Sequence, residues 1–80
     1  SDLGMFLQTF MLLAREAGLD TCAQEAWSLK QESVTAFVEA PEDEMLFCGM
    51  AIGYRDTKAS INELRTNRRP IDTWAHFLKK

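Results

Sequence analysis

Apolar residues recur at helical spacing over the first 17 residues of the chain. Ser1 or Asp2 can cap this helix, because a short oxygen-bearing side chain accepts a hydrogen bond from an unpaired backbone N–H. The pattern predicts a helix over 1–17 that is buried on most sides. Gly18 followed by Leu19 predicts its end, since glycine adopts the left-handed conformation after a last turn. The apolar positions are Leu3, Met5, Phe6, Leu7, Phe10, Met11, Leu12, Leu13, Ala14 and Ala17.

A turn that begins at Asp20 and Thr21 leads to a second helical pattern over 24–40. Ser28 and Ser33 are possible breaks, so the pattern allows one helix or two. Pro41 ends it, because proline lacks a backbone donor and disfavours helix in the residue before it. The apolar positions of this segment are Trp27, Val34, Phe37 and Val38.

Residues 45–54 form a run of ten residues without a charge. This run predicts a strand buried on both faces, in which Gly49 and Gly53 allow close approach of a neighbour. One strand cannot form a sheet, so we expect its partners to come from elsewhere. From residue 55 onward only isolated apolar residues interrupt a polar segment, which predicts an extended arm that docks on another surface. The fold class is therefore α+β.

Charge is distributed unevenly along the chain, although its net value is only −3. Residues 1–54 carry two basic and nine acidic side chains, whereas residues 55–80 carry seven basic and three acidic ones. A basic arm suits nucleic acid, a membrane surface, a phosphorylated cofactor or the acidic body of a second copy. Charge alone does not choose between these partners.

Chain length and the counts of cysteine and histidine limit the kinds of protein that this chain can be. Eighty residues bury only a marginal core, so we expect a partner chain. Two cysteines without metal-ligand spacing favour a reducing cytoplasm, and no apolar run is long enough to span a membrane. His76 is the only histidine, which excludes a histidine-based metal cluster or triad within the chain. The absence of an initiator methionine suggests a fragment or a processed product.

Two segments carry candidate chemistry: residues 18–25, which read Gly-Leu-Asp-Thr-Cys-Ala-Gln-Glu, and residues 62–70, which read Asn-Glu-Leu-Arg-Thr-Asn-Arg-Arg-Pro. In this order they resemble the C-terminal portion of the FMN-dependent nitroreductase family. Further similarity lies in Leu3-Gly4 ahead of Gln8, in Leu13-Ala14 ahead of Gly18-Leu19, and in residues 41–54. The resemblance covers nearly the whole chain, which it identifies as the C-terminal part of a single nitroreductase-like domain.

The resemblance implies a homodimer in which the arm over 55–80 reaches across the partner. It implies that Arg65 and Arg68 hold the FMN phosphate, since guanidinium forks suit phosphate oxygens; Arg69 is a weaker candidate. Ala23, Gln24 and Glu25 would line the flavin ring, where a backbone N–H bonds to a ring nitrogen. Many family members have proline where this chain has Ala23, which loosens the turn.

The complete enzyme, by resemblance, takes hydride from NADH or NADPH onto FMN and then reduces a small-molecule acceptor such as a nitroaromatic or quinone, in ping-pong order. The cofactor carries the chemistry, so no catalytic side chain and no metal ligand is assigned within the chain. The family also grips FMN with an N-terminal arginine motif that these residues lack. We therefore expect the 80-residue chain alone to bind FMN weakly and to be inactive.

The alternative is a non-catalytic, dimeric interaction module whose basic arm engages an acidic partner or nucleic acid. Nucleic acid is disfavoured, because residues 65–69 contain no aromatic side chain to stack on bases. Trp27 and Trp74 are interpreted as packing residues.

Overall fold

A computed structural model describes residues 1–79. It contains two α-helices, α1 (Asp2–Glu16) and α2 (Gln31–Phe37), and two strands, β1 (Asp20–Gln24) and β2 (Gly49–Gly53). Short 3₁₀ helices span Glu25–Lys30, Ser60–Glu63 and Ile71–Thr73. The fold is α+β, as the sequence predicts.

Helix α1 ends as the glycine predicts. Gly18 has φ +83°, and its N–H donates to the carbonyl of Arg15 while the N–H of Leu19 donates to the carbonyl of Ala14. This pair of bonds is the Schellman motif, which satisfies carbonyls that would otherwise lack a partner. It turns the chain directly into β1.

Helix α2 ends in the same motif with a different residue at the critical position. The N–H of Glu39 donates to the carbonyl of Ala36, and that of Ala40 donates to the carbonyl of Thr35. Glu39 has φ +54°, a left-handed conformation that glycine adopts more easily than glutamate. The helix stops ahead of Pro41, which agrees with the prediction.

Strand β1 corrects two expectations. Residues 20 and 21 were expected in a turn and 24–40 in helix, whereas Asp20–Gln24 pairs antiparallel with β2 and the helical segment starts at Glu25. The register sets Cys22 opposite Ala51 and Gln24 opposite Gly49. We expected the partners of β2 to come from elsewhere, and this is wrong for one of them, which is β1 of the same chain. Cross-strand pairing outweighs the weak local preference of β1 for strand.

Strand β2 is shorter than the predicted 45–54. The backbone of Leu46 bonds to the side chain of Gln31 instead of to a strand: the Leu46 N–H donates to Oε1 at 2.9 Å, and Nε2 donates to the Leu46 carbonyl at 2.6 Å. The part of the apolar run before Gly49 is thus a loop that the Gln31 side chain holds in place, and only Gly49–Gly53 forms the strand.

Burial is slight throughout residues 1–79. Helix α1 packs on β1, and the Glu25–Lys30 segment lies between α2 and β2. Ala14 is the one apolar residue that is buried among the described residues, at 8% exposure. The prediction that α1 is buried on most sides is not met by these residues alone, since Phe6, Leu12 and Leu13 are all exposed. Within the described part, no helix has the length and apolar character needed to cross a bilayer.

Candidate functional site

Strand β1 carries two of the predicted ring-lining residues, Ala23 and Gln24, and Glu25 follows it directly. The sheet of the described residues has two strands, so β1 pairs with β2 along one edge only. In an antiparallel ladder alternate residues direct their N–H and C=O groups away from the partner strand. The open edge of β1 therefore offers backbone donors of the kind that a flavin ring nitrogen requires.

A cavity of about 360 Å³ opens between α1 and this sheet. Ala23 and Glu25 both line it, together with Gln8 of α1. The remaining lining residues are mainly apolar: Gly4, Leu7, Met11, Phe47, Cys48 and Met50. A volume of a few hundred cubic ångströms with few polar groups is typical of a small-molecule site.

Gln24 belongs to a different environment from Ala23, because neighbouring side chains on a strand point to opposite faces. Its Oε1 accepts a hydrogen bond of 2.8 Å from Nε1 of Trp27. The indole of Trp27 lies against Gly49, where an added β-carbon would come within 2.5 Å of Cδ1. Trp27 thus contacts both members of the Gln24–Gly49 pair, a role that its interpretation as a packing residue missed.

The loop before β2 is held beside the cavity by Gln31. Its Nε2 also donates to the carbonyl of Ser28 at 3.1 Å, which fixes the amide at the start of α2. Because Leu46 is bonded to that amide, the next two residues, Phe47 and Cys48, are held where they line the cavity. Gln31 and Leu46 are 15 residues apart, and no motif in the sequence predicts that they form this contact.

Arg65 and Arg68 lie in the exposed arm and use their donors on nearby neutral oxygens. Arg65 donates to the carbonyls of Asn62 and Leu64, and Arg68 donates to the carbonyl of Asn67 and to Thr66. Within residues 1–79 neither forms an ion pair with a carboxylate. Their positive charges are therefore not neutralised by the acidic body of the same chain.

The two candidate segments line one cavity together. Asn62, which opens the basic segment, lines a second cavity of about 340 Å³ together with Asp20, Thr21 and Cys22 of β1. In the described part of the chain, no hydrogen bond joins Arg65 or Arg68 to residues 23–25. Asn62 and the start of β1 thus share one cavity, and the predicted phosphate and ring residues are not joined to each other.

Asp20 links the elements around this second cavity. Its Oδ1 accepts from Nη1 of Arg15 and from Nη2 of Arg55, both at 3.1 Å. The carboxylate is three-quarters shielded, with 25% of its side chain exposed. It ties the end of α1 to the residue at which the arm begins.

The chain is similar to known proteins in both sequence and fold. The profile of the nitroreductase family matches residues 1–54. A 4-nitrobenzoate reductase of Pseudomonas putida is 39% identical over 77 residues, which are 96% of this chain and 34% of that protein. A chloronitrobenzene nitroreductase of Comamonas testosteroni is 35% identical over 75 residues, which are 94% of this chain and 33% of that protein.

Among solved structures, the FMN- and NADPH-dependent nitroreductase NfnB from Sphigopyxis sp. strain HMH superposes with a TM-score of 0.91 and 37% identity. The match covers 99% of this chain and 35% of that one. The chain thus spans about one third of the length of the relatives it matches. Both the relatives and the superposition extend beyond residue 54, so the basic arm is part of the shared structure. The chain belongs to the nitroreductase family.

Proposed function

We propose that these residues are part of an FMN-dependent NAD(P)H oxidoreductase of nitroreductase type. The observation that carries the proposal is the similarity of 99% of the chain, at a TM-score of 0.91 and 37% identity, to an FMN- and NADPH-dependent nitroreductase. The open edge of β1 and the adjoining cavity support it, since they fit the ring-lining role assigned to Ala23 and Glu25, whereas the side chain of Gln24 does not line this cavity. FMN, when bound, supplies hydride acceptance and donation.

The residues of this chain bind FMN and orient it. Those backbone N–H groups of residues 23–25 that point away from β2 are the donors for the ring, and the apolar wall of the cavity excludes water from it. Arg65 and Arg68 are the candidates for the phosphate, because their guanidinium groups are exposed and bound only to neutral oxygens within residues 1–79. Exchanging such oxygens for a phosphate dianion gains charge-assisted hydrogen bonds.

Nitroaromatic compounds are the proposed acceptors, with quinones as a related class. The relatives are named for 4-nitrobenzoate and chloronitrobenzene.

We also propose that the protein is a homodimer, because the exposed apolar residues of α1 suit an interface. We propose the cytoplasm as its location, because Cys22 and Cys48 are both free thiols.

The phosphate assignment is tested by affinity for two flavins that differ only in that phosphate. In the natural gene product that contains these residues, Arg65→Ala and Arg68→Ala should each weaken FMN binding by about 10-fold to 100-fold, the range of a charged hydrogen bond. Riboflavin binding should stay unchanged. Arg69→Ala is the matched control, because it removes the same charge from the same segment at the position that the family resemblance makes the weaker candidate for the phosphate. Equal losses for both flavins would contradict the assignment.

The function itself is tested on the unmodified gene product. Its intact mass, visible spectrum and NAD(P)H oxidation with 4-nitrobenzoate should reveal a yellow protein more than twice 9.1 kDa. Initial rates at several acceptor concentrations should give the parallel double-reciprocal plots of a ping-pong reaction. A colourless product near 9.1 kDa that does not oxidise NAD(P)H would instead favour the interaction module.

A further inference from the structure

Among residues 1–79, one hydrogen-bonded contact joins the arm over 55–80 to the rest of the chain. Nη2 of Arg55 donates to Oδ1 of Asp20 at 3.1 Å. The other hydrogen bonds of the arm begin and end within the arm itself. Asp20 is therefore the polar anchor of the arm on residues 1–54.

Hydrogen bonds continue from this anchor to Arg65. Asp56 follows Arg55, and its carbonyl accepts from Nδ2 of Asn62 at 2.7 Å. The carbonyl of Asn62 in turn accepts from Nη1 of Arg65 at 3.0 Å. Arg55 and Asn62 both line, together with Asp20, the cavity of about 340 Å³. The position of the Arg65 guanidinium therefore depends on how Arg55 is held.

The carboxylate of Asp20 does not itself suit a phosphate, because both groups are negatively charged. Its Oδ1 instead accepts from two cations, Arg55 and, in the last turn of α1, Arg15. The bond to Arg15 stays within residues 1–54, whereas the bond to Arg55 reaches the arm. An influence of Asp20 on the arm therefore passes through Arg55.

We propose that Asp20 is a positioning residue for phosphate recognition: by holding Arg55 it fixes the segment over 55–65 so that Arg65 meets the FMN phosphate. This inference rests on the proposed function, since it assumes that Arg65 binds the phosphate. It divides the work between two sites on the chain. Arg65 contacts the ligand, and the pair of Asp20 and Arg55 determines where that contact is made.

The test measures dissociation constants of FMN and riboflavin in the natural gene product. Asp20→Asn keeps the shape of the side chain and removes its charge. Loss of a negative charge by itself would strengthen the binding of an anion. We expect the opposite, a loss of FMN affinity of about threefold to tenfold, because Arg65 is less well held. Riboflavin, which lacks the phosphate, should bind as before.

Arg55→Ala removes the other half of the contact at an exposed position, where substitution leaves the fold intact. It should also weaken FMN by about threefold to tenfold and leave riboflavin unchanged. Arg15→Ala is the matched control, because it removes an equal charge and the other partner of the same carboxylate. It should leave the affinities for both flavins unchanged, since Arg15 does not contact the arm.

A second background shows whether Asp20 acts through Arg65. In a protein that already carries Arg65→Ala, adding Asp20→Asn should cause no further loss of FMN affinity. A further loss equal to the one that Asp20→Asn causes in the unmodified protein would overturn the proposal.

The outcomes are separable from those of the proposed function. A gene product that binds neither flavin would overturn both. One in which Arg65→Ala weakens FMN, whereas Asp20→Asn leaves FMN as tight or tighter, would overturn this inference alone. Equal losses for FMN and riboflavin in Asp20→Asn would also overturn it, since they would show a disturbed strand β1 rather than a displaced arm.

Discussion

Two residues at equivalent positions of the helix ends, Gly18 and Glu39, should respond to substitution with opposite signs. Both occupy the left-handed position of a Schellman motif, with φ +83° and +54°. A side chain there costs about 1–2 kcal/mol, so Gly18→Ala should lower the free energy of unfolding by that amount. An added β-carbon at Gly18 has no atom within 4 Å, which leaves conformation as the cause.

Glu39→Gly should raise the free energy of unfolding by up to about 1 kcal/mol, because relief of the left-handed strain exceeds the extra flexibility of the unfolded chain. Glu39→Ala keeps the strain and should bring no such gain. Gly4→Ala is the control for Gly18: the same change inside α1 should stabilise by about 0.5–1 kcal/mol. Urea unfolding of the natural gene product measures all four, and a stabilising Gly18→Ala would refute the argument.

At the level of elements, Gln31 acts as a clamp between α2 and the loop before β2. Gln31→Ala should cost about 1–3 kcal/mol, because the N–H and C=O of Leu46 lose their partners in a part-buried setting. Hydrogen exchange of the Leu46 amide should accelerate in this variant more than that of the β2 amides. Gln8→Ala, a change of the same residue type at an exposed position of α1, should alter stability by no more than about 0.5 kcal/mol. Unchanged exchange at Leu46 would show that the clamp does not hold the loop.

The elements also show which parts of the fold the sequence can predict. Helix α1 and its end follow from local rules: helical spacing of apolar residues and a glycine at the left-handed position. Strand β1 does not, because Asp20, Ala23 and Gln24 have little strand preference and become a strand by pairing with β2. The clamp at Gln31 is equally non-local. Such contacts form between residues that are far apart in the sequence, so no short sequence motif predicts them.

The candidate site likewise contains residues that the sequence identifies and a contact that it does not. The segment that contains Ala23, Gln24 and Glu25 was found by its resemblance to a family, and the structure places it at an open strand edge beside a cavity. Arg65 and Arg68 were found likewise, and their contact with a phosphate stays a prediction. The contact between Trp27 and Gln24 was missed, because a tryptophan in an apolar pattern gives no sign that its N–H will meet an amide three residues earlier.

On the scale of the whole molecule, these residues do not form a compact unit. The radius of gyration is 17.3 Å, whereas a compact domain of this length has about 12 Å. The accessible surface of 7871 Å² exceeds that of a typical folded monomer of this mass by about 3,000 Å². An excess of that size is comparable to the surface buried in an obligate protein interface. The exposed apolar residues of α1, β2 and the arm form part of it.

The 80-residue chain in isolation should therefore self-associate and bind FMN weakly. Its apolar surface favours association over a monomer, and neither the open edge of β1 nor the arm is held in one position by further protein. Sedimentation should detect oligomers, and titration with FMN should give a dissociation constant at least about 100-fold above that of the natural gene product, which is the control. NADH and NADPH oxidation should be absent from the isolated chain. Stoichiometric FMN with steady NADH oxidation by a monomer would refute the prediction, because it would mean that the surface left open on these residues needs no partner for the site to form.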